Sequence, residues 1–398
     1  MARSKRSFVK GKSRVRIAIV HHWFVTRGGG ERVAECIASL FPEAEIFTLM
    51  ADGPGIPDEL RTRRMHTSFL QKIPMAKSYH RHMMPLYPAA TEGLDLRGFD
   101  LVISSDSGPI KGVRVDDDAV HICYCHSPMR YLYDGYATYR EQMGALTRAV
   151  FSATASRVRR WDVKAAKRVT YFVANSHYVA GRIRRFYGRE STVIYPPIDL
   201  HRAQRRNVPR EHYLCAGRLV GYKRTELMIM ACTRLGRKLR IAGAGPEEAR
   251  LKNIAEAAHV TFLGEMKTDA LWKEYGECRA LLFAADEDFG MVPLEVQACG
   301  RPVIAYGAGG SLETVRGGAD SPTGVYFGEQ TVESVMEGIL QFEAADAAGS
   351  FDSTEIQRWA AKFATPVFLR RMREFVLEKV PGAEAEMVPE ATIGCGLG

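Results

Sequence analysis

The chain has 398 residues, 46% of them hydrophobic, which is enough for two domains of ordinary size that each bury a core. No run reaches the roughly 18 apolar residues that span a bilayer, and the basic, polar start from Met1 to Lys12 lacks an apolar signal core, so the expected location is the cytoplasm. The net charge of +9 is uneven, +13 over residues 1–198 and −4 over 199–398; nucleic acid, an anionic membrane, a diphosphate-bearing substrate and a solvated face all fit the basic half.

In chain order, residues 14–21 read as a first strand, followed by the turn Gly28-Gly29-Gly30 and a helix over about 31–40. Strands expected at 45–50, 100–104, 120–125, 170–174 and 192–195 alternate with helical stretches, which predicts a parallel sheet with helices on both faces. The pattern breaks at Pro196-Pro197-Ile198-Asp199 and the Arg-rich stretch to Arg210, as an interdomain connection would. A second series follows at 212–217, 239–243, 260–263, 280–284 and 302–306, so the fold class is α/β, with two doubly wound domains at 1–198 and 199–365. Residues 354–379 are helical in pattern, while 381–398, poor in aromatics, read as a disordered tail. The eight cysteines are scattered, and Cys123 and Cys125 lack a second Cys/His pair at zinc-finger spacing, so they are read as reduced core residues.

In open α/β sheets ligands bind beyond the carboxyl ends of the strands, and six motifs fall there. Gly28-Gly29-Gly30 suits either backbone approach to a phosphate at a helix N-terminus or a merely tight turn. His126 opens a Pro-containing turn and suits either a structural role, usual for a lone His, or a ring nitrogen that meets a sugar hydroxyl. Arg218 and Lys223 are either fixed donors for a diphosphate or two solvated cations. Gly243-Ala244-Gly245 and Gly309-Gly310-Ser311-Leu312-Glu313 are further strand-end turns. Glu287 and Glu295, with seven residues between them, bracket a helix start and suit gripping a polyol at two points. Asp-x-Asp occurs at 286–288 and 116–118 and is read as incidental, because Arg218 and Lys223 already supply a metal-free electrophile; no metal is expected.

Together these motifs, in this order, resemble the retaining GT-B glycosyltransferases of family four over residues of about 14–380. The stretches from Val20-His21-His22-Trp23 to Glu31 and from Cys123 to Tyr131 look like the mannosyltransferase branch of bacterial O-antigen and exopolysaccharide assembly. The resemblance implies two Rossmann-like domains facing a central cleft, with a C-terminal helix at 366–380 packing on the first. It also implies GDP-mannose as donor and no cofactor. Glu295 would bind the ribose, Glu287 the transferred sugar, Arg218 and Lys223 the diphosphate, and His126 the sugar's O6 region. Gly29, Gly30, Gly243, Leu263, Phe289, Gly290, Met291 and Val292 would complete the donor site. Glu287, His126, Arg218 and Lys223 form the expected catalytic set. His22 departs from the family, in which an acid is expected after the first strand.

No enzymic nucleophile stands out, which fits retention through a same-face displacement in which the leaving phosphate takes the acceptor's proton. The basic, aromatic-studded stretch from Arg61 to Pro88, with Arg63, Arg64, Lys72 and Arg81, suits either peripheral contact with an anionic membrane and a lipid-linked glycan acceptor or a plain amphipathic helix. A UDP- or dTDP-sugar donor, or sugar-nucleotide binding without turnover, are the alternative functions; nucleic acid is not an expected partner.

Overall fold

The computed structural model describes residues 14–76, 83–141, 143–208, 210–256, 258–318 and 320–393. The chain divides into two compact units, one formed by residues 1–197 with 368–397 and the other by residues 198–367 with residue 398.

Unit 1 carries a seven-stranded, wholly parallel sheet of β1 (Ile17–Phe24), β2 (Glu45–Ala51), β3 (Met65–Thr67), β4 (Leu101–Asp106), β5 (Val120–Cys125), β6 (Tyr171–Ala174) and β7 (Ser191–Val193). The order is β3-β2-β1-β4-β5-β6-β7, so the direction of winding reverses between β1 and β4. β4 and β5 are buried at every position, as near-continuous apolar strands covered on both faces must be. Alternation sorts β1: Ile17 and Ile19 join the core under helix Gly29–Ser39, while Ala18 and Val20 join the core on the opposite face. Each fully buried Leu, Ile or Phe in these cores contributes about 1.5–3 kcal/mol.

Unit 2 has a six-stranded parallel sheet of β8 (His212–Ala216), β9 (Lys238–Ala242), β10 (Val260–Gly264), β11 (Leu281–Phe283), β12 (Val303–Tyr306) and β13 (Gly324–Phe327). Its order, β10-β9-β8-β11-β12-β13, reverses between β8 and β11.

Three features differ from the sequence expectations. The edge strands β3 and β13 were not anticipated; both are short, and an edge strand needs less of the apolar run that makes a strand legible. In place of an amphipathic helix after Arg61, the described residues form β3 and short 3-10 turns such as Phe69–Lys72. The segment expected to be a disordered tail is packed through Ile393: Ala383 and Met387 are buried against the unit 1 core, beside Phe368, Met372, Phe375 and Val376 of helix Thr365–Lys379. Its anchors are single apolar residues among Gly, Ala and Glu, so composition alone understates it.

Candidate functional site

The point where an open sheet reverses its winding is where its loops part to admit a ligand. In unit 2 the loops leaving β8 and β11 flank that point, and they bring Lys223 and Glu287 together: the Lys223 ammonium donates directly to Glu287 Oε1. Both side chains are half-buried. Burial works against the Lys223 charge, but the adjacent Glu287 carboxylate, with Tyr222, outweighs it and raises the pKa. Arg218 is exposed on the same loop and lines a small cavity with Lys223, Gly217 and Phe283. Among the described residues no carboxylate pairs with it.

The loops are held by close backbone packing. Gly217 N–H donates to Ala242 O (2.9 Å), Leu219 N–H to Ala244 O (3.0 Å) and Gly243 N–H to Gly264 O (2.7 Å). A Cβ on Gly243, whose φ is +134°, would lie 2.0 Å from Gly217 O, and one on Gly245 would lie 2.2 Å from Leu219 O. Likewise Gly310 N–H donates to Glu287 O (2.8 Å), and a Cβ on Gly310 would lie 2.2 Å from Phe289 Cα. The second glycine turn therefore props the Glu287 loop from below, a role that its motif did not disclose.

Gly290, at φ +86°, caps helix Met291–Ala298, which places Met291 and Val292 in the first turn with Pro293 behind them. Phe289 is buried against Phe363. Glu295 is half-buried within the helix; burial pushes its carboxyl pKa up, the Tyr275 hydroxyl's hydrogen bond opposes the rise, and Asp199 adds to it. Leu263 is half-buried near the end of β10.

In unit 1 the winding reverses at the ends of β1 and β4, where His21, His22, Ser105 and Ser107 lie. His126 follows β5. Its Nε2 is 2.8 Å from Ser105 Oγ, and Ser105 Oγ is 3.1 Å from His21 Nδ1, so one hydroxyl joins the two imidazoles. Burial, with His21 adding to it, holds His126 down to a pKa of about 3, which keeps the ring neutral. Gly28, Gly29 and Gly30 stand where helix Gly29–Ser39 begins, and none of them has a positive φ. A Cβ on Gly30 would meet only His21 Cε1 at 3.6 Å and His126 Nε2 at 3.8 Å, ordinary contact distances. Neither a positive φ nor close packing requires glycine at Gly30.

Sequence reasoning missed Ser105, and it missed the buried group beneath this turn. Asp106 Oδ1 accepts from the N–H groups of Gly108 (3.0 Å) and Ile110 (2.9 Å), and Lys111 donates to Asp106 Oδ2 (3.1 Å) and pairs with Asp162. Tyr133 and Tyr187 both donate to Asp162 Oδ2 at 2.8 Å. Burial disfavours the Lys111 charge, but the two carboxylates overcome it and keep the ammonium protonated, which fixes the loop after β4.

Of the residues expected to meet a membrane or acceptor, Arg63 donates to Phe41 O (2.6 Å) and Arg64 pairs with Glu45 (3.6 Å), so both help to seat β3. Lys72 is exposed, and Arg81 lies outside the described residues. The cysteines of the described residues are all buried, and none of them forms a disulfide.

The profile described as "Glycosyltransferase Family 4" matches residues 27–202, and that of "Glycosyl transferases group 1" matches residues 198–350. With two parallel Rossmann-like sheets and both glycine turns in place, the chain belongs to the GT-B glycosyltransferases of family four. Among its relatives is the GDP-mannose-dependent alpha-(1-6)-phosphatidylinositol monomannoside mannosyltransferase of Mycobacterium tuberculosis, 30% identical over 236 residues, 49% of this chain and 60% of the relative. Another is the D-inositol 3-phosphate glycosyltransferase of Mycobacterium marinum, 28% identical over 43% of this chain and 41% of the relative. The chain thus spans about 60% or less of the length of these two curated relatives. Anabaena HepE, crystallised with UDP and glucose, shares the fold at a TM-score of 0.67 and 16% identity, over 91% of this chain and 100% of its own.

Proposed function

We propose that this chain is a retaining glycosyltransferase that moves a hexose, mannose from GDP-mannose, onto a polyprenyl-diphosphate-linked glycan. The observation that carries the reading is the Lys223–Glu287 pair at the β8/β11 reversal, with the exposed Arg218 beside it. As the bond from the sugar C1 to the diphosphate breaks, negative charge grows on the leaving oxygen, and Lys223 and Arg218 are preset donors for it. Glu287, oriented by Lys223, accepts from hydroxyls of the moving sugar. The acceptor oxygen bonds to C1 on the face the diphosphate leaves, and its proton passes to that leaving phosphate. Glu295 is assigned to the ribose and His126 to the sugar's O6 region. GDP-mannose is favoured as donor by the name of the mycobacterial relative, a GDP-mannose-dependent mannosyltransferase.

A panel of sugar nucleotides with lipid-linked oligosaccharide acceptors, read by mass spectrometry, tests the proposal. Mannosylated product from GDP-mannose is expected; product from another donor alone would replace the donor, and full activity in Glu287→Ala would remove the site assignment. We also propose peripheral contact with an anionic membrane. Phe69 (46% exposed), Met75 (67%) and Leu86 (40%) stand on the surface of a unit whose sequence is strongly basic. No helix among the described residues is long and apolar enough to cross a membrane. Flotation with anionic vesicles at low salt should carry the protein upward, and failure to float would discard the contact.

A further inference from the structure

The ends of β1 and β4 hold a cluster to which the proposed transfer gives no role. His21 Nδ1 lies 3.1 Å from the Ser105 carbonyl oxygen. A carbonyl can only accept, so Nδ1 carries a ring proton and Nε2 is the ring atom left to meet a ligand. That Nε2 is buried with no hydrogen-bond partner among the described residues, and it faces Glu31 Oε1 at 3.8 Å. An imidazole nitrogen without a hydrogen-bond partner and a carboxylate oxygen, facing each other in a buried site, suit a positive species between them. His22 stands beside them: its ring centroid is 4.3 Å from that of His21, and one ligand atom from each of the three residues falls within 4.8 Å of the others. All three are buried, His21 at 0%, His22 at 6% and Glu31 at 7% exposure.

We infer that His21, His22 and Glu31 bind a divalent cation of the zinc class. Two imidazoles and one carboxylate form a set that zinc takes, with a fourth position left for water or a ligand oxygen. The Ser105 carbonyl is the outer acceptor that fixes a metal-bound imidazole. Ligands at about 2.0–2.1 Å from zinc stand roughly 3.3 Å apart in a tetrahedron, so the 3.8 Å gap must close by about half an ångström. The three ligand atoms lie within 4.8 Å of one another, so side-chain torsions of Glu31 and of the histidines must change together to close the set. The positive end of helix Gly29–Ser39 opposes a cation there, and Glu31, in its first turn, is the charge that offsets it. The expectation of metal-free transfer concerns the diphosphate and Lys223; this cation belongs to unit 1 and is assigned no step in that transfer.

The test uses the untagged full chain, stripped with EDTA and then dialysed against Zn2+ or Co2+. Elemental analysis should find one Zn2+ per chain, Co2+ should give the visible bands of a low-symmetry site, and the Tm should rise with metal. Glu31→Gln, which keeps shape and removes charge, should weaken binding at least about tenfold, and so should His21→Gln. Should His21→Gln fail to fold, Glu31→Gln decides. Sub-stoichiometric metal with no Tm shift overturns the inference, and so does stoichiometric binding unchanged in Glu31→Gln, which would put the ion elsewhere. Absence of metal together with a Tm loss in Glu31→Gln that grows as the pH falls would identify a protonated His21 paired with Glu31, and this too would overturn it.

Discussion

In unit 2 a Cβ at Gly243 or Gly310 would stand 2.0–2.2 Å from neighbouring backbone, whereas in unit 1 a Cβ at Gly30 would meet nothing nearer than 3.6 Å. Two glycine turns that look equivalent as motifs thus do different things. The turns of unit 2 are glycine because loops interlock there and hold a cation and a carboxylate in fixed register. In the turn of unit 1 a Cβ on Gly30 finds room beside His21 and His126, while one on Gly28 would press on Glu31 Oε2 at 3.1 Å. The lesson is that a glycine's reason lies in what its missing Cβ would strike, which spacing does not show.

The largest effect is expected at the preset charge pair. Lys223→Ala should lower transfer by about 10²–10³, or roughly 3–4 kcal/mol, in steady-state assays, because the donor aimed at the growing charge is gone. A loss confined to KM would show instead that the lysine only binds. Next, Gly310→Ala should destabilise unit 2 by about 3 kcal/mol in denaturant unfolding, since the methyl overlaps Phe289 backbone; an unchanged midpoint would break the contrast between the two turns.

A smaller effect is set by pH within unit 1. Burial, with the hydrogen bond that its protonated carboxyl donates to Glu59, raises Glu35 on helix Gly29–Ser39 from the ordinary 4.5 to about 7, with Arg32 opposing. Between those values the folded state holds a proton that the unfolded chain has released. Stability should therefore fall as pH rises from 4.5 through about 7, and Glu35→Gln should flatten that part of the Tm-against-pH curve. His126 acts in the opposite direction: held at about 3 against the usual 6.5, it costs stability as pH falls through that range. An equal slope in Glu35→Gln and the parent would discount the carboxyl. The smallest effect on stability is expected from Gly30→Ala, within about 1 kcal/mol of the parent, yet it should reduce transfer by filling the space before His126. A large loss of Tm in this variant would return Gly30 to an architectural role.

The doubly wound architecture was legible because strands covered on both faces leave long apolar runs, as in residues 17–20 and 101–103. Glu287, Lys223 and His126 were legible because each follows such a run. Their partners were not. Ser105 lies 84 residues from His21, and Lys223 lies 64 from Glu287, so pairings set by strand order leave no local spacing to read. Asp106, Lys111 and Asp162 escaped for the same reason, and β3 because three half-exposed residues carry no period.

The chain leaves unit 1 after Pro197 and re-enters it at Phe368. At that junction Ile198 N–H donates to Phe363 O (2.9 Å) and Thr365 N–H to Ile198 O (3.1 Å), so unit 2 begins and ends at one stitched point. Unit 2 is in effect an insertion within unit 1, and the order of synthesis inverts the order of completion. A ribosome that has released residue 367 has made all of unit 2's sheet, while unit 1, begun first, still lacks Phe368, Met372, Phe375 and Val376 from its core. A fragment ending at Pro197 would lack those four side chains, whereas residues 198–367 hold the whole six-stranded sheet and both sides of the stitch.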